Sequence, residues 1–255
     1  MAEIFSNSID GAWMKAAEIA LAAPRHEISP LTVTIERKSG DEDWDDEDAR
    51  RKINELLDRA NRQPVEHVAS TIFVRSWWNK SRPREEYYRR YKKNLRKLRS
   101  FQQNANGIYL ERLINYPGEL GKEGLNQLER IIEIFNAGIR RRSAFQATPY
   151  FPIADLKPTP YLHFPCLQQV AFIPTHPRQL TVMGFYPVHY LFQRAYGNYL
   201  GLVHLGEFMA DGMSLRLSRL ICIAGVATLE GDTAKLVRPF LRRMKFNQSS
   251  VLTKK

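Results

Sequence analysis

Cys166 follows Pro165 at the end of a stretch, residues 148 to 165, that also carries Pro149, Pro152, Pro158 and Pro160. Each proline fixes its own φ, so the segment reads as a stiff loop, with no helix, leading into a strand. A lone cysteine is most often a small buried hydrophobe. A neighbouring cluster of cations changes that, because positive charge favours the thiolate and the thiolate is the nucleophile. Arg140, Arg141 and Arg142 lie upstream, just after Gly138. Three consecutive guanidinium groups repel one another unless an anion offsets them, and phosphate fits their forked donors. Thiolate and arginine cluster together point to a phosphorylated substrate with an electrophilic carbon. Cys222, inside Leu-Ile-Cys-Ile, reads as core.

A second concentration of chemistry lies between Arg75 and Arg99. Eleven Lys and Arg residues stand there against Glu85 and Glu86 alone, with Trp77, Trp78, Tyr87, Tyr88 and Tyr91 among them. Such a mixture can follow a phosphate backbone while its rings stack on bases. The spacing of Tyr87, Tyr91, Leu95 and Leu98 is also helical, which would put the rings in the core and the charges in water. Both readings stand at this point.

The elements that must position these residues come from the whole chain of 255 residues. Its 38 Lys and Arg against 27 Asp and Glu leave a net charge of +11. With 44% apolar residues the chain can build a packed core. No run approaches the roughly 18 apolar residues of a membrane span. The opening MAEIFSNSIDGAW has no basic leader or apolar core, so no secretory signal is expected. Two cysteines make no disulfide framework. A soluble cytoplasmic protein with reduced thiols and no metal is the expectation.

Helices are expected over Ile9 to Ala22, Ala49 to Asn61, Val65 to Val74, Pro83 to Leu98 and Gly124 to Asn136. A longer one is expected from about Val188 to Met209. Strands are expected over Leu31 to Ile35, Leu167 to Pro174, Gln179 to Tyr186 and, last, Leu220 to Leu229. Residues 38–48 read as a flexible acidic loop and 246–255 as a polar tail. No linker divides residues 1–255, so one domain is expected.

From about Trp13 to Gly231 the order of motifs resembles the thymidylate synthases and their pyrimidine hydroxymethylase relatives. Asn126-Gln-Leu-Glu-Arg-Ile-Ile132 is similar to the helix before the family's double arginine. Arg141-Arg142-Ser-Ala-Phe-Gln-Ala-Thr148 is similar to that segment, and Pro152-Ile-Ala-Asp-Leu156 to the loop after it. Phe164-Pro165-Cys166 resembles the nucleophile, and Gly197-Asn198-Tyr-Leu-Gly-Leu202 the asparagine that reads the base. The resemblance implies an α+β fold with one large twisted mixed sheet, helices on one face and a second subunit against the other. It implies Cys166 adding to C6 of a pyrimidine nucleotide so that C5 attacks a one-carbon donor, a folate in the family. Arg141 and Arg142 would reach the phosphate held by the partner subunit of a homodimer, Arg25 would add a further phosphate contact, and Asn198 would distinguish O4 from N4. Of Gln168 and Gln169, one must face inward and is a candidate for contacting the base or orienting the thiol.

The sequence also departs from the family. Twenty residues after the cysteine, Tyr186 and Pro187 stand where the family has Arg-Ser, and His189 where it has aspartate. The interval from His189 to Asn198 is one residue longer. Ala227-Thr228-Leu229 replaces a late His-x-Tyr, and the core-helix glutamate is missing from the stretch His67 to Phe73. The tail lacks the apolar, carboxylate-terminated end that closes over folate. Ordinary thymidylate synthesis is not expected. Three readings follow: a divergent transferase with Cys166, Tyr186 and His189 as its catalytic set and His189 moving the proton; a nucleotide-binding or sensing protein that has lost its chemistry; and a nucleic-acid binder using residues 75–99.

Overall fold

The structure, a computed structural model, describes residues 1–37, 43–101, 104, 107–118, 124–156, 158, 165–175 and 177–252, with backbone alone for 245–252. Strand β1 (Ala2–Ser6) leads into helix α1 (Ile9–Ala22), whose first turn is capped by the Ser8 hydroxyl accepting from the Gly11 N–H at 3.2 Å. Strands β2 (Glu27–Ile28) and β3 (Leu31–Glu36) follow. Asp46 caps helix α2 (Glu47–Arg59) by accepting from the Asp48 and Ala49 N–H groups, so the described end of the acidic run starts a helix. Residues 38–42 of the expected acidic loop lie outside the described residues.

Helices α3 (Val65–Ile72), α4 (Arg84–Arg99), α5 (Tyr109–Ile114) and α6 (Gln127–Asn136) then precede strand β4 (Gln146–Ala147) and the short helix α7 (Pro152–Asp155). Helix α7 corrects the expectation of an unbroken loop there: Pro152 at its first position needs no hydrogen-bond partner for a missing N–H. Asp155 holds the turn, accepting from the Phe151 N–H at 2.7 Å and pairing with Arg112 at 3.0 Å. Strands β5 (Gln169–Thr175) and β6 (Gln179–Tyr190), helix α8 (Tyr196–Gly212), strand β7 (Arg216–Thr228) and helix α9 (Ala234–Leu252) complete the chain.

The architecture is α+β, with one mixed sheet in the order β1-β3-β7-β6-β5-β4, and β2 also paired to β7. β1 runs parallel to β3 and β6 parallel to β7; the other neighbours are antiparallel. Register aligns Val33, Cys222, Gly184 and Val170 across the face that packs on the helices. The adjacent row, Phe5, Thr34, Ile221, Met183 and Ala171, lies on the opposite face, with Thr32, Ile223, Phe185 and Gln169 beside it. That face is apolar yet partly open, Phe5 being 66% and Phe185 37% exposed.

Helix α8 lies at the centre of the core and is buried on nearly every side, which explains why its sequence shows no polar stripe. It crosses α3 closely through two glycines. A Cβ on Gly197 would lie 2.5 Å from the Cβ of Val68, and one on Gly201 would lie 2.8 Å from the Ala69 carbonyl oxygen. Only glycine permits that approach, and it brings the start of α3 to the start of α8.

One expectation changes here. Val188 to Tyr190 continue β6 instead of opening a helix, because they pair with Val226 to Thr228 of β7. Helix α9 continues in the backbone through Leu252, and its first turns bury Val237, Phe240 and Leu241, with Phe240 edge-on to Trp13 at 6.1 Å; the side chains of the expected polar tail, 246–255, lie outside the described residues. No helix among the described residues is long and apolar enough to cross a membrane.

Candidate functional site

Cys166 sits three residues before the start of β5 and is partly exposed, whereas Cys222 is sealed within the sheet's inner face. The backbone N–H groups of Cys166 and Leu167 both donate to the hydroxyl of Tyr109, at 3.3 and 3.4 Å. Tyr109 opens α5. The loop between them is held by Gln127, whose side chain accepts from the Thr148 N–H and donates to the Thr148 and Arg112 carbonyls. Thr148 in turn donates its hydroxyl hydrogen to the Gln168 carbonyl at 2.8 Å. Phe164, part of the motif around the cysteine, lies outside the described residues.

The cation that acts on this thiol is Arg194. Burial pushes the Cys166 thiol above its usual value, while the Arg194 guanidinium and the hydrogen bond from Tyr109 pull it back towards the thiolate. Arg140, Arg141 and Arg142, expected to activate the thiol, do not act on it in this chain. All three are exposed, and Arg140 lies 4.3 Å over the Phe135 ring while donating to the Phe135 carbonyl at the end of α6. The signal for Arg194 was present as the extra residue between His189 and Asn198. Residues Leu191–Ala195 form a π-turn, which absorbs one additional residue at the entry to α8. Trp13 fixes its start by donating to the Leu191 carbonyl at 2.7 Å, and the Glu230 carboxylate accepts from the Phe192 and Gln193 N–H groups.

Arg194 is half-buried and makes no ion pair among the described residues. It also acts on Tyr109 and on His67, in the first turn of α3. Burial, then Arg194, hold His67 below the usual imidazole value, so it is neutral at pH 7, and its Nε2 is buried without a partner among the described residues. The hydroxyl of Tyr186 is likewise buried without a partner among the described residues, and both Cys166 and Tyr109 act on it electrostatically. Arg194 thus acts on Cys166, Tyr109 and His67, and Cys166 and Tyr109 act in turn on Tyr186, which links side chains of α3, α5, β6 and the entry to α8 electrostatically. A buried polar atom without a partner is costly unless something else bonds it.

His189 and Asn198 form a layer beneath. The His189 ring stacks on Tyr186 at 4.3 Å, its Nε2 accepts from the Asn198 side-chain amide at 3.0 Å, and its Nδ1 faces the Cys222 sulfur at 4.0 Å. Burial lowers its pKa to about 3. In this arrangement the imidazole supports Tyr186 from below. The Asn198 amide nitrogen is directed at His189, so any reading of a base edge falls to its carbonyl oxygen.

Gln168 is the half-buried member of the glutamine pair, and Gln169 lies on the outer face, bonded to Gln146. Arg25 is exposed, 3.7 Å from Glu27, with φ at +55° in the left-handed region that non-glycine residues rarely adopt. The structure does not bring Arg25, Arg141 or Arg142 to Cys166 within one chain. Comparison with known proteins adds no identification: no family model matches the chain, and no curated protein matches it.

Proposed function

We propose that this chain is a divergent thymidylate synthase-like protein that binds a pyrimidine nucleotide and uses Cys166 as a nucleophile at C6 of the base. The supporting observation is the half-buried Arg194, which has no ion pair among the described residues and acts on a partly exposed thiol. Arg194 offers a guanidinium to the nucleotide's phosphate and a field that favours the thiolate. The thiol proton passes to water at the partly exposed sulfur. As the S–C6 bond forms, the 5,6 electron pair moves through C5 to O4, and the Tyr186 hydroxyl is a donor suited to that developing charge. Protonation at C5, loss of the other C5 hydrogen and expulsion of the thiolate restore the base, so C5 hydrogen exchanges with water without any second substrate.

A homodimer belongs to the same reading. The open apolar sheet face around Phe185, Met183, Ile221 and Ile223 suits a second copy, and the exposed Arg141 and Arg142 would then serve the ligand of the opposite subunit. The exchange at C5 needs no folate donor. No step is routed through one.

The second reading, a nucleotide-binding protein without chemistry, is favoured by the burial that keeps the thiol protonated. Tritium release from [5-³H]dUMP and [5-³H]dCMP separates the two. Release that Cys166→Ser abolishes supports the nucleophile. Thermal stabilisation by either nucleotide that survives Cys166→Ser, with no release from the native protein, supports binding alone. Neither release nor stabilisation overturns both.

A further inference from the structure

The basic segment builds a groove of its own, about 770 Å³ in volume, between the turn Arg75–Trp77 and helix α4. Its walls hold Arg75, Lys80, Arg82, Arg89, Arg90 and Lys93 against the single carboxylate of Glu86. The helical reading of the tyrosines is the one the structure takes: Tyr87, Tyr88 and Tyr91 are buried and serve the core. The groove keeps a different ring. Trp77 is half-buried with the Arg90 guanidinium 5.0 Å from its centre, while Trp78 is buried with Arg75 and Lys80 over its ring.

Among these cations, Arg75 pairs with Glu207 and Arg82 with Glu86, but Lys80, Arg89, Arg90 and Lys93 have no ion pair among the described residues. Arg89 and Lys93 are one helical turn apart, and the exposed Arg96 and Lys97 continue the same charge towards the end of α4. A chain of phosphates would offset such a row of cations along its length, where one phosphate would not. The groove is also remote from Cys166. Arg75 meets α8 at Glu207, thirteen residues beyond Arg194, which is roughly 20 Å of helix.

We propose that this groove binds single-stranded nucleic acid, its phosphates tracking Lys80, Arg89, Arg90 and Lys93 and one base stacking on Trp77. The site is independent of the Cys166 chemistry. Fluorescence anisotropy with a labelled 15-nucleotide deoxythymidine strand in a salt series tests it. On single strands the affinity falls with a log–log slope of about 0.7 per phosphate neutralised, so four contacts predict about 50-fold weakening between 50 and 200 mM salt. Reversing the charge at the exposed pair, Arg89→Glu with Lys93→Glu, should weaken binding at least ~50-fold at low salt and flatten the slope. Trp77→Ala should cost about tenfold, with Trp77→Phe recovering most of it. Cys166→Ser should leave the binding unchanged.

Absence of binding at 50 mM salt, or binding that ignores the charge reversal, overturns the proposal. Displacement of the strand by poly-glutamate at equal charge would assign the groove to an acidic protein instead. Displacement by a nucleoside monophosphate at equal phosphate concentration would assign it to a small phosphorylated ligand, again overturning the polymer.

Discussion

Replacing Arg194 with methionine, which keeps the apolar stem and removes the charge, is expected to slow iodoacetamide alkylation of Cys166 about tenfold at pH 8. Burial alone drives this thiol towards its protonated form, and Arg194 is the cation that opposes burial. Without it the thiolate fraction falls, and alkylation follows that fraction. Since Arg194 makes no ion pair among the described residues, its loss should change folding stability by only about 0.5 kcal/mol. Arg194→Lys should recover part of the rate. Arg140→Ala, Arg141→Ala and Arg142→Ala should leave it unchanged in the monomer, because none of these side chains acts on the sulfur within one chain. Equal alkylation rates in native protein and Arg194→Met would remove Arg194 from the site.

The second large effect concerns His189 and acid. Its folded pKa is depressed to about 3 by burial, against an unfolded value of about 6.5. As pH falls below that unfolded value, the unfolded chain takes up a proton that the folded chain refuses. The stability associated with His189 is therefore present above pH ~6.5 and is lost as pH falls towards 3, at about 1.4 kcal/mol per unit. His204, lowered by burial to about 4, and His67 act in the same direction, and the buried carboxylates of Asp45, Glu207 and Glu230, raised by burial, act in the opposite one. Comparison with His189→Gln cancels these shared contributions. Between pH 7 and pH 5 the native protein should lose about 2 kcal/mol more than the variant in urea titrations. Parallel stability curves would mean that His189 accepts a proton in the folded state.

His189 also shows where sequence legibility ended. Strand periodicity of two places residues 186 and 189 on opposite faces. Here Pro187 and Val188 are both half-buried, Gly225 and Val226 match them on β7, and alternation lapses on both strands together. Tyr186 and His189 consequently stack on the same side. Pro187 lacks the N–H that a regular ladder would use, but the lapse on β7 becomes visible only once the two strands are paired. The additional residue before Asn198 was countable in the sequence. That it forms a π-turn and projects Arg194 towards Cys166 required the positions of α3 and α5, which no local pattern carries.

Other elements were legible because their signals are local. Helix α1, the tyrosines of α4, the β5–β6 hairpin and the inward placement of one of the two glutamines all follow from spacing. Helix α9 was missed although Val237, Phe240, Leu241 and Met244 recur at helical intervals, because Pro239 within the run reads as a stop. Strand β1 was missed because one short strand beside β3 gains its stability from parallel pairing with a distant segment. Tyr109 carried no spacing signal at all. Its role rests on two backbone N–H groups fifty-seven and fifty-eight residues further along the chain.

Competitive alkylation of the two cysteines puts the central claim most directly at risk. Native protein is treated with iodoacetamide at pH 8 with and without saturating dUMP or dCMP, and the label on Cys166 and Cys222 is read by peptide mass. We expect Cys166 to react while Cys222 reacts only on unfolding, and one of the pyrimidine nucleotides to protect Cys166 at least ~tenfold where a purine monophosphate does not. Equal labelling of both thiols, or a Cys166 rate indifferent to either nucleotide, would contradict a pyrimidine site at that sulfur.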